Sequence, residues 1–327
     1  MVTTWQEMSV LVVGCGSIGK RHARALRNLG VHDLRACDPL PEQRAALLTD
    51  VPDAKLIDTY EAGLADAPDT VLICTPPRLH IPQAKQAIRA GCHVLCEKPL
   101  TDTLEGIDEL SRLATEHNRK VMVALCFRYH EGLLLAKQYL DSGRLGRLVS
   151  VRALMGEHIP DIRPDYRGLV AEGFYSAFDL MHDLDLAIWY ADRPICNMYS
   201  VSGPFALYGE LDTHLPDVAE ILLEFEDRCV ATVHLDFFQR PRRRQIELIC
   251  TEGVLIVEFA RWNHCTISLY EAARERWIRK EMLTDRDDMF RAEDKEFLQA
   301  VAEDKPIACT IEEAMKSVRV VVAAQKP

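Results

Sequence analysis

Paired-cysteine motifs, membrane-length apolar runs and surplus positive charge are all missing from this 327-residue chain. Its eleven cysteines contain no C-x-x-C. Cys15, Cys37, Cys74 and Cys96 lie within or beside apolar, strand-like runs, as small core residues do in a reduced protein. Against 50 acidic residues there are 39 Lys and Arg, a formal charge of −11. That balance excludes an electrostatic reason to bind nucleic acid or an anionic membrane. The one dense basic run, Arg240-Pro241-Arg242-Arg243-Arg244, falls between two strand-like segments and is expected to be a solvated turn. No apolar run reaches spanning length. The N-terminus has no charged start, apolar core or small-residue cleavage site. A cytoplasmic protein with neither nucleic-acid nor membrane partner is expected. Repeats and low-complexity segments are also absent.

What is present is a regular alternation over the first 125 residues. Short apolar runs (Ser9–Val13, Asp33–Cys37, Lys55–Ile57, Thr70–Cys74, His93–Cys96, Lys120–Leu125) alternate with helix-period segments (Ile18–Leu29, Pro41–Leu48, Ile81–Ala90, Thr103–Asn118). Gly30 and Gly91 each follow a helix end. Strand and helix in alternation predict a doubly wound parallel sheet with helices on both faces. After Phe127 the pattern changes. A helix over Gly132–Ser142, a strand over Arg147–Leu154, a charged loop over Met155–Leu169 and a helix from about Glu172 to Ala191 are expected. Successive strands follow at Ala219–Phe225, Cys229–Phe238, Gln245–Cys250, Val254–Phe259 and Cys265–Tyr270, with corners at Glu226-Asp227 and Glu252-Gly253. Strands without intervening helices predict a largely antiparallel sheet. Helices near Phe290–Glu303 and Ile311–Ala324 close the chain. The expected division is residues 1–126, an N-terminal doubly wound domain, and residues 127–327, a C-terminal α/β domain.

Gly14-Cys15-Gly16-Ser17-Ile18-Gly19 is a G-x-G-x-x-G between a strand and a helix. Gly14 permits the tight turn, Gly16 admits a pyrophosphate to the backbone, and Gly19 lets helix and strand pack closely. The pyrophosphate then rests on the helix N-terminus. Asp38, nineteen residues beyond Gly19, stands where a carboxylate would bind the adenosine ribose. It repels a 2′-phosphate, so NAD is expected over NADP, with Arg35 and Arg44 close enough to oppose that preference. Thr75 and Pro76, after the fourth strand, are expected on the nicotinamide side beside His80; the prolines also suit a helix start.

Glu97-Lys98-Pro99 follows the fifth strand. A lysine there can hold a substrate hydroxyl against a nicotinamide, or be an ordinary exposed lysine. A second cluster, Phe178 to Asp185, places Asp179 and Asp185 one turn either side of His182 if the segment is helical. Carboxylates so placed suit His182 to act as a general base. The alternatives are that Asp183 and Asp185 are solvated helix charges, or that His182 binds a metal. With no second histidine at i+4, no metal is expected. Arg163 and Tyr166, in the loop Pro160–Arg167, join Asp185 as candidate substrate contacts, and with Arg240–Arg244 they suggest an anionic or nucleotide-linked sugar.

Across nearly its whole length the chain resembles the Gfo/Idh/MocA oxidoreductases, named for glucose–fructose oxidoreductase and inositol dehydrogenase. The resemblance covers Val10–Gly19, Thr70–His80, Ala90–Leu100, Phe127–Tyr129, Ser142–Gly146, Asp179–Asp185 and Arg243–Gly253. It implies a Rossmann domain followed by an α/β domain whose open sheet forms the face of a homodimer or homotetramer. It also implies a catalytic Lys98, a Glu97–Lys98 turn bordering the cofactor, a cis peptide before Pro99, a cofactor or substrate contact at Arg128, and His182 as the acid/base. Many members carry an aspartate four residues before this histidine; here Phe178 stands there and Asp179 is three before. The segment Ala171–Tyr175 also lacks the glycines many members have. The implied activity is NAD(P)-dependent oxidation of a secondary alcohol on a sugar, cyclitol or sugar derivative. Two alternatives stay open: a non-redox enzyme oxidising its substrate transiently with tightly bound NAD, and a non-catalytic NAD-binding regulator.

Overall fold

Why the first segment folds as it does is visible in its strands. The apolar runs Ser9–Val13 (β1), Asp33–Cys37 (β2), Lys55–Ile57 (β3), Thr70–Ile73 (β4), His93–Glu97 (β5) and Val121–Ala124 (β6) pair in the order β3-β2-β1-β4-β5-β6, all parallel. β1, β4 and β6 are buried almost throughout, as strands covered on both faces must be. The crossovers carry helices Ser17–Asn28 (α1), Pro41–Leu48 (α2), Tyr60–Ala65 (α3), Pro77–Arg89 (α4) and Ile107–Glu116 (α5). The expected strands and helices are present within a few residues. α3 is an addition, a helix too short to show periodicity. The computed structural model describes residues 4–171, 173 and 175–325. Sheet order reverses between β1 and β4, so their carboxyl ends flank a crevice, the usual ligand position in an open α/β sheet.

The second segment opens with Glu131–Asp141 (α6) and Leu148–His158 (β7), then the short helices Ile159–Ile162 (α7) and Tyr166–Ala171 (α8) and the helix His182–Ala191 (α9). The strands are Ile195–Gly203 (β8), Val218–Phe225 (β9), Cys229–Asp236 (β10), Phe238–Cys250 (β11), Gly253–Arg261 (β12), His264–Glu271 (β13) and Arg276–Leu283 (β14). They form an eight-stranded sheet in the order β14-β13-β12-β11-β7-β10-β9-β8, antiparallel except where β10 meets β7. Alternate residues of β9 and β10 are buried, the period-two signature of a sheet with two different faces. α9 packs on β7 and β10, and α6 on β12 and β13. The opposite face exposes Tyr199, Val201, Leu222 and Val230.

Three expectations for this segment change. Met155–Leu169 is not a loop: β7 continues to His158, and two short helices follow. The helix expected from Glu172 to Ala191 is broken. Ser176 and Asp179 form a capping box on a separate 3-10 turn, Ala177–Leu180, and α9 starts at His182. Glu172 and Phe174 lie outside the described residues. The basic run is no turn but part of β11. β8 and β14 were not anticipated.

Helices Arg286–Ala302 (α10) and Ile311–Ala324 (α11) end the chain. Packing divides it into one unit of Met1–Tyr129 with Asp287–Val318 and a second of His130–Arg286 with Arg319–Pro327. The returning segment extends the first unit at β6: the Val123 amide donates to the Cys309 carbonyl at 2.8 Å. A single cut at 126/127 does not describe this grouping. No disulfide joins the described cysteines, and Cys15, Cys37 and Cys96 are buried. Among the described residues no helix is long and apolar enough to cross a membrane.

Candidate functional site

In the first unit, the turn after β1 can be made only with glycine. Gly14 has φ +92°, and a Cβ there would sit 2.8 Å from the Cys74 carbonyl oxygen. A Cβ on Gly19 would collide with the Gly14 carbonyl oxygen. Gly16 caps α1 with no side chain completing the cap, and open space lies where its Cβ would be. The first amides of α1, from Ser17 and Ile18 onward, therefore present an uncapped, positive helix end. Asp38 lies beside them. One of its oxygens accepts from the Cys15 amide at 2.8 Å and the other from the Leu40 amide at 2.9 Å. Gly14, Gly16, Asp38, Thr75 and Pro76 help line a cavity of about 730 Å³. These residues fit a dinucleotide: a cradle that side chains at Gly14 and Gly19 would disrupt, an anion-favouring helix end and a carboxylate lining the same cavity. The two arginines expected to oppose Asp38 are engaged. Arg44 donates to the Asp38 carbonyl and pairs with Asp58, each at 2.6 Å. Arg35 pairs with Asp33, also at 2.6 Å.

The next two strand ends are tied together by His80. Its ring is buried, with Nε2 2.6 Å from the Thr75 carbonyl and Nδ1 2.8 Å from the Pro99 carbonyl. Burial lowers its pKa, opposed by these two carbonyls. His80 thus stands between the β4 turn and the β5 turn. Thr75 Oγ1 donates to Gln83 Oε1 at 2.6 Å. The Lys98–Pro99 peptide is cis, as the family resemblance implied. Glu97 accepts from the Lys98 amide at 3.0 Å, and the Lys98 side chain is half-buried. Arg128, on the 3-10 turn after β6, is buried and pairs with Glu313 at 3.2 Å.

In the second unit, His182 is the first residue of α9. Asp179 lies on the 3-10 turn that runs through Met181 into α9, and its Oδ2 accepts from the Ser176 amide at 2.7 Å and closes that turn. Asp183 and Asp185 are buried, which removes the reading of solvated helix charges. Asp183 meets Arg244 in a two-point ion pair at 3.0 and 2.7 Å. Burial raises the Asp183 carboxyl, and the Arg244 guanidinium opposes that rise. Arg242, two residues earlier on the same strand face, pairs with Glu157 at 3.1 Å and stacks on Trp262, which Arg286 also covers. The sequence signal for these pairs was the i, i+2 spacing of Arg240, Arg242 and Arg244. A dense basic run between two strand-like segments instead reads as a solvated turn. The candidate substrate loop also differs from expectation. Tyr166 is buried against Ile159, Tyr208 and Phe237, and Arg163 pairs with Asp165 at 3.1 Å while lying over Tyr175.

Residues 8–125 match the model of the oxidoreductase family with an NAD-binding Rossmann fold, and residues 133–256 match the GFO/IDH/MocA C-terminal domain. The chain belongs to the GFO/IDH/MocA oxidoreductase family. Among curated relatives, the myo-inositol dehydrogenase Hyg17 of Streptomyces leeuwenhoekii is 29% identical over 188 residues, a match taking in 58% of this chain and 57% of that one. Two solved structures share the fold over nearly all of both chains. The scyllo-inositol dehydrogenase of Lactobacillus casei, with NAD(H) and scyllo-inositol bound, has a TM-score of 0.82 at 19% identity, covering 98% of this chain and 96% of that one. The UDP-N-acetylglucosamine 3-dehydrogenase GnnA of Acidithiobacillus ferrooxidans has 0.81 at 22%, covering 98% and 97%.

Proposed function

We propose that this GFO/IDH/MocA protein is an NAD-dependent dehydrogenase that oxidises a secondary alcohol on a cyclitol, a sugar or a nucleotide-linked sugar. The observation that carries the reading is the carboxyl edge of the first unit's sheet. There the glycine cradle, Asp38, Thr75 and the Glu97–Lys98 turn follow β1, β2, β4 and β5, which are neighbours in the sheet. A bound nicotinamide would supply the hydride acceptor. The other tasks fall to the chain itself. The amides from Gly16 to Gly19 bind the pyrophosphate, and Asp38 accepts from the ribose hydroxyls. Lys98 Nζ donates to the reacting hydroxyl and favours the developing alkoxide. His182 accepts the hydroxyl proton as the carbon gives up its hydride. Asp179 contributes by holding the turn before His182, and Thr75, Pro76 and Glu97 by shaping the nicotinamide side. Arg163, Tyr166 and Asp185 are assigned to substrate binding. The reading includes a homo-oligomer formed through the open sheet face of the second unit.

The test follows NADH formation with myo-inositol, scyllo-inositol and UDP-N-acetylglucosamine. With whichever is oxidised, Lys98→Ala and His182→Ala should each lower kcat by about 10²–10⁴, the loss usual for a positioned acid or base. NADH affinity should stay within about twofold, since neither side chain holds the pyrophosphate. Near-normal turnover in both variants overturns the residue roles. With Arg35 and Arg44 held by aspartates, kcat/KM should favour NAD by about tenfold or more, worth ~1.4 kcal/mol. A preference for NADP overturns the role given to Asp38.

A further inference from the structure

His22 stands where α1 would ordinarily be apolar. Gly19 brings α1 against the turn after β1, so the residues three and four further on face inward; His22 and Ala23 are both buried. The histidine ring has a partner on each side. Nδ1 lies 2.7 Å from Asp294 Oδ1 on α10, and Nε2 lies 3.1 Å from Glu97 Oε1 at the end of β5. Phe290 meets the ring edge-on at 5.2 Å. The other Glu97 oxygen accepts the Lys98 amide at 3.0 Å. A continuous chain of polar contacts therefore runs from α10 through His22 and Glu97 to the backbone of Lys98, all within the first unit.

The charge state follows from the geometry. With a carboxylate oxygen at each nitrogen, both nitrogens donate only in the imidazolium. Burial lowers the pKa of the ring, but Asp294 and Glu97 outweigh burial and raise it well above 6.5. Two buried titratable groups nearby, Glu293 and Cys74, stay neutral, while Arg21 over Phe290 is paired with Asp287. Glu293 on α10 is fully buried, neither oxygen has a partner among the described residues, and burial drives its pKa well up. The Cys74 thiol after β4 is likewise held protonated by burial. Burying an imidazolium between two carboxylates costs several kcal/mol per ion, and an apolar trio of similar volume is often as stable or more so. Stability does not account for the arrangement. What it does that leucine cannot is fix the Glu97 carboxylate in one orientation.

We propose that Asp294 and His22 form a clamp on Glu97 and act as positioning residues for Lys98. By holding one Glu97 oxygen, they align the other on the Lys98 amide and set the turn from which the Lys98 side chain projects. The proposal rests on the reading that Lys98 acts in the reaction, and its first test does not need that reading. Deuterium exchange at the Lys98 amide, resolved by fragmentation mass spectrometry, is compared in the wild type and in the His22→Leu/Asp294→Leu double variant. The double variant removes both clamp groups and leaves no unpaired charge on α10. Lys98 amide exchange should speed up about tenfold or more, while amides of β1 and β4 keep their protection. With a substrate identified, kcat should fall about tenfold or more, with KM and NADH affinity within about threefold, because orientation and not binding is lost. His22→Gln, which keeps a donor, should recover part of both effects. If the double variant does not fold, Asp294→Asn, which preserves shape, is read by the same two measurements. A folded variant with wild-type Lys98 exchange overturns the clamp, and one with unchanged kcat while Lys98→Ala is impaired overturns its positioning role. Normal turnover in Lys98→Ala would sink the role of Lys98 instead, and the exchange result would still decide whether the clamp exists.

Discussion

His130 accepts a hydrogen bond from the Gly132 amide at Nδ1, 3.2 Å away, and so caps α6 only while that nitrogen carries no proton. Burial, with Arg244 adding to it, lowers the His130 pKa to about 4. His93 behaves alike: its Nδ1 accepts from the Lys120 amide at 3.0 Å, and burial lowers its pKa to about 4. For a histidine depressed in the folded state, the stabilisation is complete above the unfolded value near 6.5. It is lost as pH falls from there through about 4. Asparagine caps a helix without titrating. Between pH 7 and pH 4, His130→Asn should therefore lose less stability than the wild type, by roughly 3 kcal/mol, read as a smaller fall in Tm. Equal losses in calorimetry would remove the titrating cap. At this scale the sequence was legible where function is local. The spacing of Gly14, Gly16, Gly19 and Asp38 declares a cradle because each residue acts on its own neighbours. His22 could not be read this way, since its partner Asp294 is 272 residues distant.

Among the elements, β11 shows how a local rule misleads. Arg240-Pro241-Arg242-Arg243-Arg244 has the composition of a turn, yet the strand continues through it, because Arg242 and Arg244 have Glu157 and Asp183 as counter-charges. The Arg244–Asp183 pair fastens the first turn of α9, the turn that carries His182. Asp183→Ala or Arg244→Ala should cost about 3–5 kcal/mol in urea unfolding, since each strands the other's buried charge. The double variant Asp183→Leu/Arg244→Met should recover most of that stability and remain catalytically impaired. A single-variant cost below about 1 kcal/mol would place the pair with ordinary surface bridges. The parallel strands were legible because both of their faces are covered and the residues are apolar throughout. β14 was not: as an edge strand it reads Arg-Trp-Ile-Arg-Lys-Glu, with the charges that protect an edge. The break before α9 was written in Ser176 and Asp179, a capping box hidden inside a helix-like composition.

For the molecule as a whole, alternation of strand and helix was enough to anticipate a doubly wound parallel sheet with helices on both faces, because crossover handedness leaves few choices. The grouping of Asp287–Val318 with the first unit was not legible, since periodicity reports which face of a helix is buried and not what buries it. The apolar residues on the open face of the second sheet suit a self-complementary contact. Sedimentation should find an oligomer at micromolar concentration, and Tyr199→Glu/Leu222→Lys should shift it toward monomer. A monomeric wild type would contradict the oligomer. The most direct test of the central claim is absorbance at 340 nm after mixing the protein with NAD and, in turn, myo-inositol, scyllo-inositol or UDP-N-acetylglucosamine. The expected result is net accumulation of NADH with at least one of them, slowed by about 10²–10⁴ in Lys98→Ala. NAD that binds tightly while no NADH accumulates with any of the three would contradict a dehydrogenase acting on these alcohols.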